Sequence, residues 1–204
     1  MVSPTGTYLA LIFILASLTY SAIGQDANSG YEIDAIKGSR FLYDDFLPGT
    51  VYFDNKTKFT NIPMRLNLYH DELQYINNDS IYAFATPNRF DSVTIGGEAF
   101  IYLDESNNLD LSGFVRIWNS QFPAIVTKMS VGLSVPLRFD RKDDQHYLIR
   151  SESDIVMVKS VEHLIYLLCY HSLELEEFAK QEKISSTNGA ELAWLVERYR
   201  EVYQ

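Results

Sequence analysis

The spacing of hydrophobic residues changes once along this chain, near Lys159, and this change constrains the fold more than any other feature. Before it, short runs of β-branched and aromatic residues are separated by turn signals about every 8–12 residues. After it, apolar residues recur at the spacing of an α-helix. We therefore predict an α+β fold, in which an antiparallel β meander of about eight to ten short strands is followed by three C-terminal amphipathic helices.

The clearest turn signal is the pair Gly96-Gly97, which lies between two β-branched and aromatic runs. A two-residue type I′ turn needs positive φ at both central residues, and glycine adopts positive φ without steric cost. Residues 77–80 form a second polar loop between apolar runs, and their types tolerate turn conformations. Both patterns predict hairpins that join neighbouring antiparallel strands.

Cap signals mark the starts of the three predicted helices. Ser160 and Ser172 are suitable N-caps for helices over residues 161–170 and 173–183. Asn188, with Glu191 three residues later, has the capping-box form for a helix that runs to about residue 203. Its apolar face predicts that this helix packs on the sheet. That face contains Leu192, Leu195, Val196, Tyr199 and Tyr203.

The N-terminal 24 residues contain no Asp, Glu, Lys or Arg. Their apolar run, residues 8–18, is shorter than the ~20 residues that a membrane-spanning helix needs. Ala22 and Gly24 occupy the −3 and −1 positions of a cleavage site before Gln25. We predict a signal peptide over residues 1–24, export to the periplasm or the extracellular space, and no stable membrane anchor after cleavage. The alternative is a buried segment of the domain.

The rest of the chain has the length of one domain. Residues 25–48 are polar and are interrupted by glycine and proline, so we interpret them as an N-terminal extension. Residues 49–204 are predicted to form a single α+β domain, β-rich over 49–158 and helical over 159–204.

The net charge narrows the classes of binding partner, and the cysteine count narrows the kinds of site within the chain. The chain has 17 basic and 27 acidic residues, for a net charge of −10. Such a charge disfavours nucleic acid and anionic membranes as partners. The single cysteine, Cys169, excludes a disulfide framework and any multi-cysteine metal site within the chain. It lies in an apolar run, which indicates a core residue.

The sequence contains no phosphate-binding glycine loop, no His-Glu-x-x-His motif and no Gly-x-Ser-x-Gly motif. His163 and His171 are two turns apart at helical spacing, which is too far for one metal ion. The run His70-Asp71-Glu72 could converge only at a turn, where a metal or acid–base role competes with a solvated loop. We predict no catalytic residue, no cofactor and no metal, and we favour a non-enzymatic role.

Four aromatic residues in predicted strands form a tentative binding surface: Tyr75, Tyr82, Tyr102 and Trp118. If several of them share one open face of the sheet, they would form an amphipathic recognition surface. The alternative is that they are core residues beneath the helices.

Five segments along the chain carry a resemblance to known proteins: residues 41–46, 48–53, 61–69, 71–75 and 91–103. They resemble a family of secreted proteins of unknown function from Bacteroidota. The resemblance implies a Gram-negative envelope setting and carries over no active-site residue. In that setting, Asp79-Ser-Ile81 and Asp91-Ser-Val93 resemble the O-glycosylation signal of the phylum.

We therefore expect an exported, non-enzymatic binding or structural module of the bacterial envelope, which contacts an envelope protein or a glycan. One alternative is a periplasmic carrier of an apolar small molecule, with the sheet and helices around a cavity. Another is a hydrolase assembled from dispersed His, Asp and Ser residues.

Overall fold

A computed structural model describes residues 36–53, 57–84, 90–104, 109, 111–135, 137–151, 153–170 and 172–203. Ile36–Gln204 forms one compact unit. Residues 36–48 of the predicted extension therefore belong to this unit. The predicted signal peptide, residues 1–24, lies outside the described residues.

Strands precede helices in the described residues, which confirms the predicted α+β class. The first six strands are β1 (Leu47–Tyr52), β2 (Lys58–Asn67), β3 (Glu72–Asn77), β4 (Ser80–Ala83), β5 (Ser92–Ile95) and β6 (Glu98–Leu103). The next six are β7 (Gly113–Ile117), β8 (Ala124–Lys128), β9 (Val131–Ser134), β10 (Arg138–Arg141), β11 (Gln145–Ser151) and β12 (Asp154–Met157). The helices are α1 (Val161–Cys169), α2 (Leu173–Gln181) and α3 (Gly189–Tyr203).

Ten of these strands form one antiparallel sheet, in the order β12-β11-β8-β7-β6-β5-β1-β2-β3-β4. Strands β1 to β4 follow one another outward, and the chain then returns so that β5 pairs with the free side of β1. Strands β9 and β10 form a separate two-stranded hairpin between β8 and β11 in sequence.

The described residues contain twelve strands, slightly more than the eight to ten predicted. The sequence pattern does not predict strand β10, because its sequence Arg-Phe-Asp-Arg contains a single apolar residue. It forms because it pairs with β9, which is an apolar strand.

Both predicted hairpin turns have the expected backbone. Gly96 and Gly97 join β5 to β6 with φ of 58° and 90°, as a type I′ turn requires. Asn78 and Asp79 join β3 to β4 with φ of 47° and 60°. Asn and Asp tolerate this left-handed region better than other residues with a Cβ atom.

The sheet has two buried faces. Along β8, Ile125 packs with the helices, whereas its neighbours Ala124 and Val126 pack in a separate cluster. We call these the helix face and the opposite face. The opposite-face cluster comprises Leu111, Val115, Ala124, Val126, Tyr147, Ile149 and Ile155.

The helix face continues across the sheet into an aromatic-rich core. The pairing register places Phe100 opposite Arg116, and Arg116 opposite Thr127, so these side chains share that face. This aromatic-rich core contains fully buried side chains. They include Val51, Met64, Leu66, Leu73, Val93, Ile95, Phe100 and Phe114.

The three helices begin where the sequence predicts. The Ser160 hydroxyl accepts the His163 N–H at 3.1 Å, and the Ser172 hydroxyl accepts the Leu175 N–H at 3.2 Å. These bonds satisfy N–H groups that have no partner within their helices. Helices α1 and α2 end one and two residues earlier than predicted, at Cys169 and Gln181.

The cap of α3 differs in detail from a capping box. Asn188 Oδ1 accepts the N–H groups of Ala190 and Glu191 at 3.0 and 3.4 Å. The Glu191 carboxylate accepts the Asn188 side-chain amide and the Ser185 N–H, at 2.8 and 2.7 Å. In the standard box it would accept the N-cap backbone N–H. This altered form of the capping box bonds the preceding loop to helix α3.

Helix α3 lies on the helix face of the sheet against β8, as its apolar face predicted. Leu192, Leu195 and Val196 are completely buried there. Burial of each such side chain contributes about 1.5–3 kcal/mol. Of the helices in the described part of the chain, none combines the length and apolar character needed to cross a bilayer.

Candidate functional site

Two of the four predicted surface aromatics, Tyr75 and Tyr82, are cross-strand neighbours on β3 and β4. Their rings stack with centroids 5.6 Å apart. Tyr82 is 46% exposed, whereas Tyr75 is half-buried and packs against the aromatic-rich core. Tyr82 is therefore the more accessible member of this pair.

Tyr102, on β6, is half-buried and joins the same system of rings. Its ring lies edge-on to Phe114 at 5.2 Å. Phe90 lies 6.1 Å from Phe114, Phe84 lies 5.8 Å from Phe90, and Tyr75 lies 4.7 Å from Phe84. These separations are favourable for aromatic pairs. We call this series, Tyr82, Tyr75, Phe84, Phe90, Phe114 and Tyr102, the aromatic row.

The three phenylalanines that complete the aromatic row were not singled out by the sequence analysis. They are scattered along the chain, and only the sheet brings them together. The row leads from the exposed edge strand β4 into the core, so its inner members contribute to packing.

Trp118, the fourth predicted residue, lies apart from the aromatic row, immediately after β7. The guanidinium of Arg116 lies 3.8 Å from the centre of its ring. Its indole N–H donates to the Thr127 hydroxyl at 2.7 Å. Gly189, the first residue of α3, approaches so closely that a Cβ atom there would lie 2.1 Å from the indole nitrogen. Trp118 is thus held between the sheet and α3.

Trp118 lies within a network of polar contacts that extends along the helix face from β6 to β11. On one side, Arg116 forms a 2.7 Å ion pair with Glu98, which accepts a hydrogen bond from the Tyr43 hydroxyl. On the other side, Thr127 Oγ1 lies 2.7 Å from Nδ1 of His146. Arg116 and Glu98, the ion pair of this network, have opposite charges, which offsets the cost of removing each charge from water.

His146, at the β11 end of this network, is buried, with 4% of its surface exposed. The indole N–H of Trp118 can only donate, so the Thr127 oxygen accepts this hydrogen bond. The Thr127 hydroxyl can then donate a hydrogen bond to Nδ1 of His146. Nε2 of His146 has no hydrogen-bond partner among the described residues. The ring is shut off from solvent, and this arrangement favours a structural role.

A cleft of about 470 Å³ opens beside Trp118. We call it the Trp118 cleft. It has the size of a small-molecule site. Its walls include Ile117, Trp118, Asn119, Ser120, Gln121 and Glu197.

Two clamps hold the loop that forms one wall of the Trp118 cleft. The Asn119 amide donates to the carbonyls of Gln121 and Pro123, both at 3.1 Å, and accepts the Ile125 N–H at 2.7 Å. Arg200, on α3, donates to the same two carbonyls. Two backbone carbonyls of the loop are thus engaged, and Ser120 and Gln121 line the cleft.

The Trp118 cleft is close to electrically neutral. Its one acidic wall residue, Glu197, pairs with Arg200 at 2.5 Å. An ion pair beside an amide and a hydroxyl offers both hydrogen-bond donors and acceptors without net charge.

A second groove, of about 410 Å³, lies between α1 and α2. Ile165 and Ala179 are buried residues of its apolar part. Glu162, Glu176, Lys180 and Lys183 also line it, so its acidic and basic residues are equal in number.

The run His70-Asp71-Glu72 falls at the turn between β2 and β3, where Asp71 forms a structural tie. Its Oδ2 lies 2.5 Å from the Lys128 ammonium, and its Oδ1 accepts the Phe114 N–H at 3.0 Å. Lys128 also donates to the Ser112 carbonyl at 2.8 Å. Asp71 thus connects the β2–β3 turn to β7 and β8, and we call this contact the Asp71–Lys128 tie.

The other described histidines have local roles. His70 is exposed and packs edge-on against Tyr69, with ring centres 5.0 Å apart. Nδ1 of His163 accepts the Lys159 N–H at 3.2 Å, next to the start of α1. The described residues contain no group of three His, Cys, Asp or Glu side chains that could hold a metal ion. His171 lies outside the described residues.

Cys169, predicted to be a core residue, is half-buried and packs against the core under the helices. Its thiol donates to the Ile165 carbonyl at 3.4 Å, within α1. Burial raises the pKa of the Cys169 thiol, so the reactive thiolate is disfavoured at neutral pH.

Tyrosine ionisation is coupled to folding in three places. Burial, with a smaller contribution from the hydrogen bond to Glu98, raises the pKa of Tyr43 above its ordinary value of 10.0. Burial also raises the pKa of Tyr75 and of Tyr147. A raised folded-state pKa means that the unfolded chain loses the proton first as pH increases.

Stability should therefore be unaffected by these tyrosines below about pH 10 and should fall as the pH rises above that value. Urea unfolding at a series of pH values measures this decline. Tyr43→Phe is expected to make the decline shallower without abolishing it, because Tyr75 and Tyr147 remain. An identical decline in Tyr43→Phe would show that Tyr43 is not coupled to folding.

The geometry thus offers two candidate binding sites, the Trp118 cleft and the groove between α1 and α2, and an aromatic row that reaches the exposed edge of the sheet. Comparisons with family models, curated proteins and solved structures find no match to this chain.

Proposed function

We propose that this chain is an exported, non-enzymatic binding module of the bacterial envelope, and that the Trp118 cleft binds a neutral, hydroxyl-rich ligand such as a glycan. The observation that carries the proposal is the composition of the cleft. An indole lies beside a hydroxyl, an amide and a charge-balanced carboxylate. A few polar groups around an aromatic residue are typical of a site that orients a small ligand.

The rigidity of the cleft supports binding. The Asn119 and Arg200 clamps hold the loop before any ligand arrives. A preformed wall reduces the entropy lost on binding. The Gln121 side chain can then donate and accept hydrogen bonds with a ligand hydroxyl group.

The non-enzymatic part of the proposal is supported by the positions of the described histidines. The ring of His146 bonds a threonine hydroxyl in a buried position, and that of His163 bonds a backbone N–H. Thr127 and His146 are both buried, whereas a hydrolase would place such a histidine–hydroxyl pair in an open cleft.

Export is supported by the N-terminal apolar run of residues 8–18, by the small residues Ala22 and Gly24 before Gln25, and by the resemblance to secreted Bacteroidota proteins. Expression in a Gram-negative host tests it. We expect the protein in the periplasmic fraction, with Gln25 as its first residue, and we expect Gly24→Leu to block cleavage because the −1 position requires a small residue. Uncleaved protein in the cytoplasm would refute export.

Ligand binding can be measured with a fluorescent reporter already in the chain. The protein has two tryptophans, so Trp194→Phe leaves Trp118 as the only indole. Titration of this variant with neutral oligosaccharides should change its emission, and Gln121→Ala should weaken binding at least about tenfold, which corresponds to one or two lost hydrogen bonds.

Gln181→Ala is the matched control, because Gln181 is an exposed glutamine at the end of α2 that does not line the cleft. It should leave the affinity unchanged. Equal loss in both variants, or no response to any saccharide, would refute the glycan proposal. Saturable binding of an apolar dye or fatty acid instead would favour the carrier hypothesis.

A further inference from the structure

Strand β4 forms one edge of the ten-stranded sheet. All four of its residues are exposed, including Ile81 at 56% and Tyr82 at 46%. Within the described part of the chain, β4 pairs only with β3. An edge strand with this exposure presents backbone groups to which another strand can bond.

The hairpin register identifies the outward-facing groups. Phe84 N–H donates to the Leu73 carbonyl at 3.0 Å. In an antiparallel pair, hydrogen-bonded and non-hydrogen-bonded positions alternate, so Tyr82 also faces β3 with its N–H and C=O. Ile81 and Ala83 therefore direct their N–H and C=O groups away from the sheet.

Short length is the one usual protection of an edge that β4 has, since it contains four residues. Natural edge strands also carry charged side chains, proline or bulges that prevent pairing with another chain. The strand Ser80-Ile-Tyr-Ala83 has no charge and no proline, and its pairing with β3 is regular. In a chain with net charge −10, this neutral segment is one where a second copy can approach with little repulsion.

We propose that β4 pairs with β4 of a second copy of this chain, antiparallel and centred on Tyr82, so that two sheets join into one. In this register Ile81 faces the partner's Ala83, and Ala83 faces the partner's Ile81. Each of these pairs exchanges two N–H···O=C bonds. All four outward-facing backbone groups of β4 are thus satisfied in both copies.

Two features favour a second copy over an unrelated peptide. The register places Tyr82 opposite the partner's Tyr82 in a non-hydrogen-bonded pair, where Cα atoms are about 4.5 Å apart. The stack of Tyr75 on Tyr82, at 5.6 Å, is then continued by its symmetry copy. The register also places the two Asp79 residues at opposite ends of the pairing, away from each other.

Sedimentation equilibrium of the purified protein, over about 1 µM to 1 mM, tests the pairing. The wild-type protein should approach twice the monomer mass at the upper end. Ile81→Pro should weaken dimerisation at least about tenfold, because it removes an outward N–H that β3 does not use. Circular dichroism should show that this variant keeps its fold.

Ile81→Val is the matched control, because it retains the N–H and the β-branched shape, and it should dimerise like the wild type. A wild-type protein that stays monomeric throughout would overturn the proposal, and so would an Ile81→Pro variant that dimerises equally well. Either result leaves the binding function of the Trp118 cleft untouched, since that function does not require a dimer.

Cysteine cross-linking tests the register. In a Cys169→Ser background, Tyr82→Cys places two thiols opposite each other and should give a disulfide-linked dimer on mild oxidation. Ala83→Cys faces the partner's Ile81 and should cross-link much more slowly. If Ala83→Cys cross-links faster than Tyr82→Cys, the proposed register is wrong.

Discussion

Gly113→Ala is expected to lower the free energy of unfolding by about 3–5 kcal/mol, which is measurable as a reduced urea midpoint. Gly113 has φ of 96°, in the left-handed region that alanine adopts only with strain. A Cβ atom there would lie 1.4 Å from Oδ2 of Asp71 and 2.4 Å from the Lys128 ammonium. The carboxylate would have to leave the Asp71–Lys128 tie.

The expected loss is large because the Lys128 side chain is largely shielded from water. Its side chain is 16% exposed, so it cannot recover full hydration when Asp71 moves away. The tie also satisfies the Phe114 N–H, which would lose its bond to Asp71 at the same time. Removing one partner of a buried pair costs more than the pair contributes.

Gly97→Ala is the matched control for backbone strain. Gly97 has φ of 90°, close to that of Gly113, but no atom lies within 4 Å of a Cβ built there. It should lose only about 1–2 kcal/mol. Equal losses in the two variants would contradict a role for the Asp71–Lys128 tie. In the double variant, Asp71→Ala should lower the free energy of unfolding little further than Gly113→Ala alone, because both changes break the same contact.

Gly189→Ala is the second change with a large expected effect. Helix propensity predicts that it stabilises the protein, whereas packing predicts that it destabilises it. Propensity alone predicts a gain of up to about 1 kcal/mol, since Gly189 is the first residue of α3. A Cβ atom there would lie 2.1 Å from Trp118 Nε1 and 2.8 Å from Thr127 Oγ1. We expect the overlap to dominate, with a net loss of about 1–3 kcal/mol.

Ala190→Gly provides the comparison at the next position. Ala190 is exposed, so its substitution changes propensity without a packing clash and should cost at most about 1 kcal/mol. Thermal unfolding of both variants gives the ranking, and Trp118 emission in a Trp194→Phe background reports the displacement of the indole. A stabilised Gly189→Ala protein would show that α3 is free to shift away from Trp118.

The fold class, the two hairpins and the helix starts could be predicted because each depends on residues close together in sequence. Gly96 and Gly97 permit a type I′ turn wherever they occur. Ser160 and Ser172 cap the helices that follow them through contacts with residues three positions away. Strand β10 was missed because its stability depends on pairing with β9 rather than on its own pattern.

The candidate site could be predicted only in part. Trp118 was singled out as an aromatic residue in a strand, but its contacts with Arg116, Thr127 and Gly189 come from neighbouring strands and a distant helix. Tyr75, Tyr82 and Tyr102 were singled out as well. The phenylalanines that connect them come from other parts of the chain.

By itself, the sequence determined the order of strands and helices, their turns and caps, because hydrophobic period and backbone preference act within a few residues. Only the tertiary structure decided which strands pair, with β5 returning to β1 and the Asp71–Lys128 tie joining distant turns. The physical reason is that strand pairing and the contacts of buried charges join residues far apart in the chain. Their partners are chosen by the register and packing of the whole sheet.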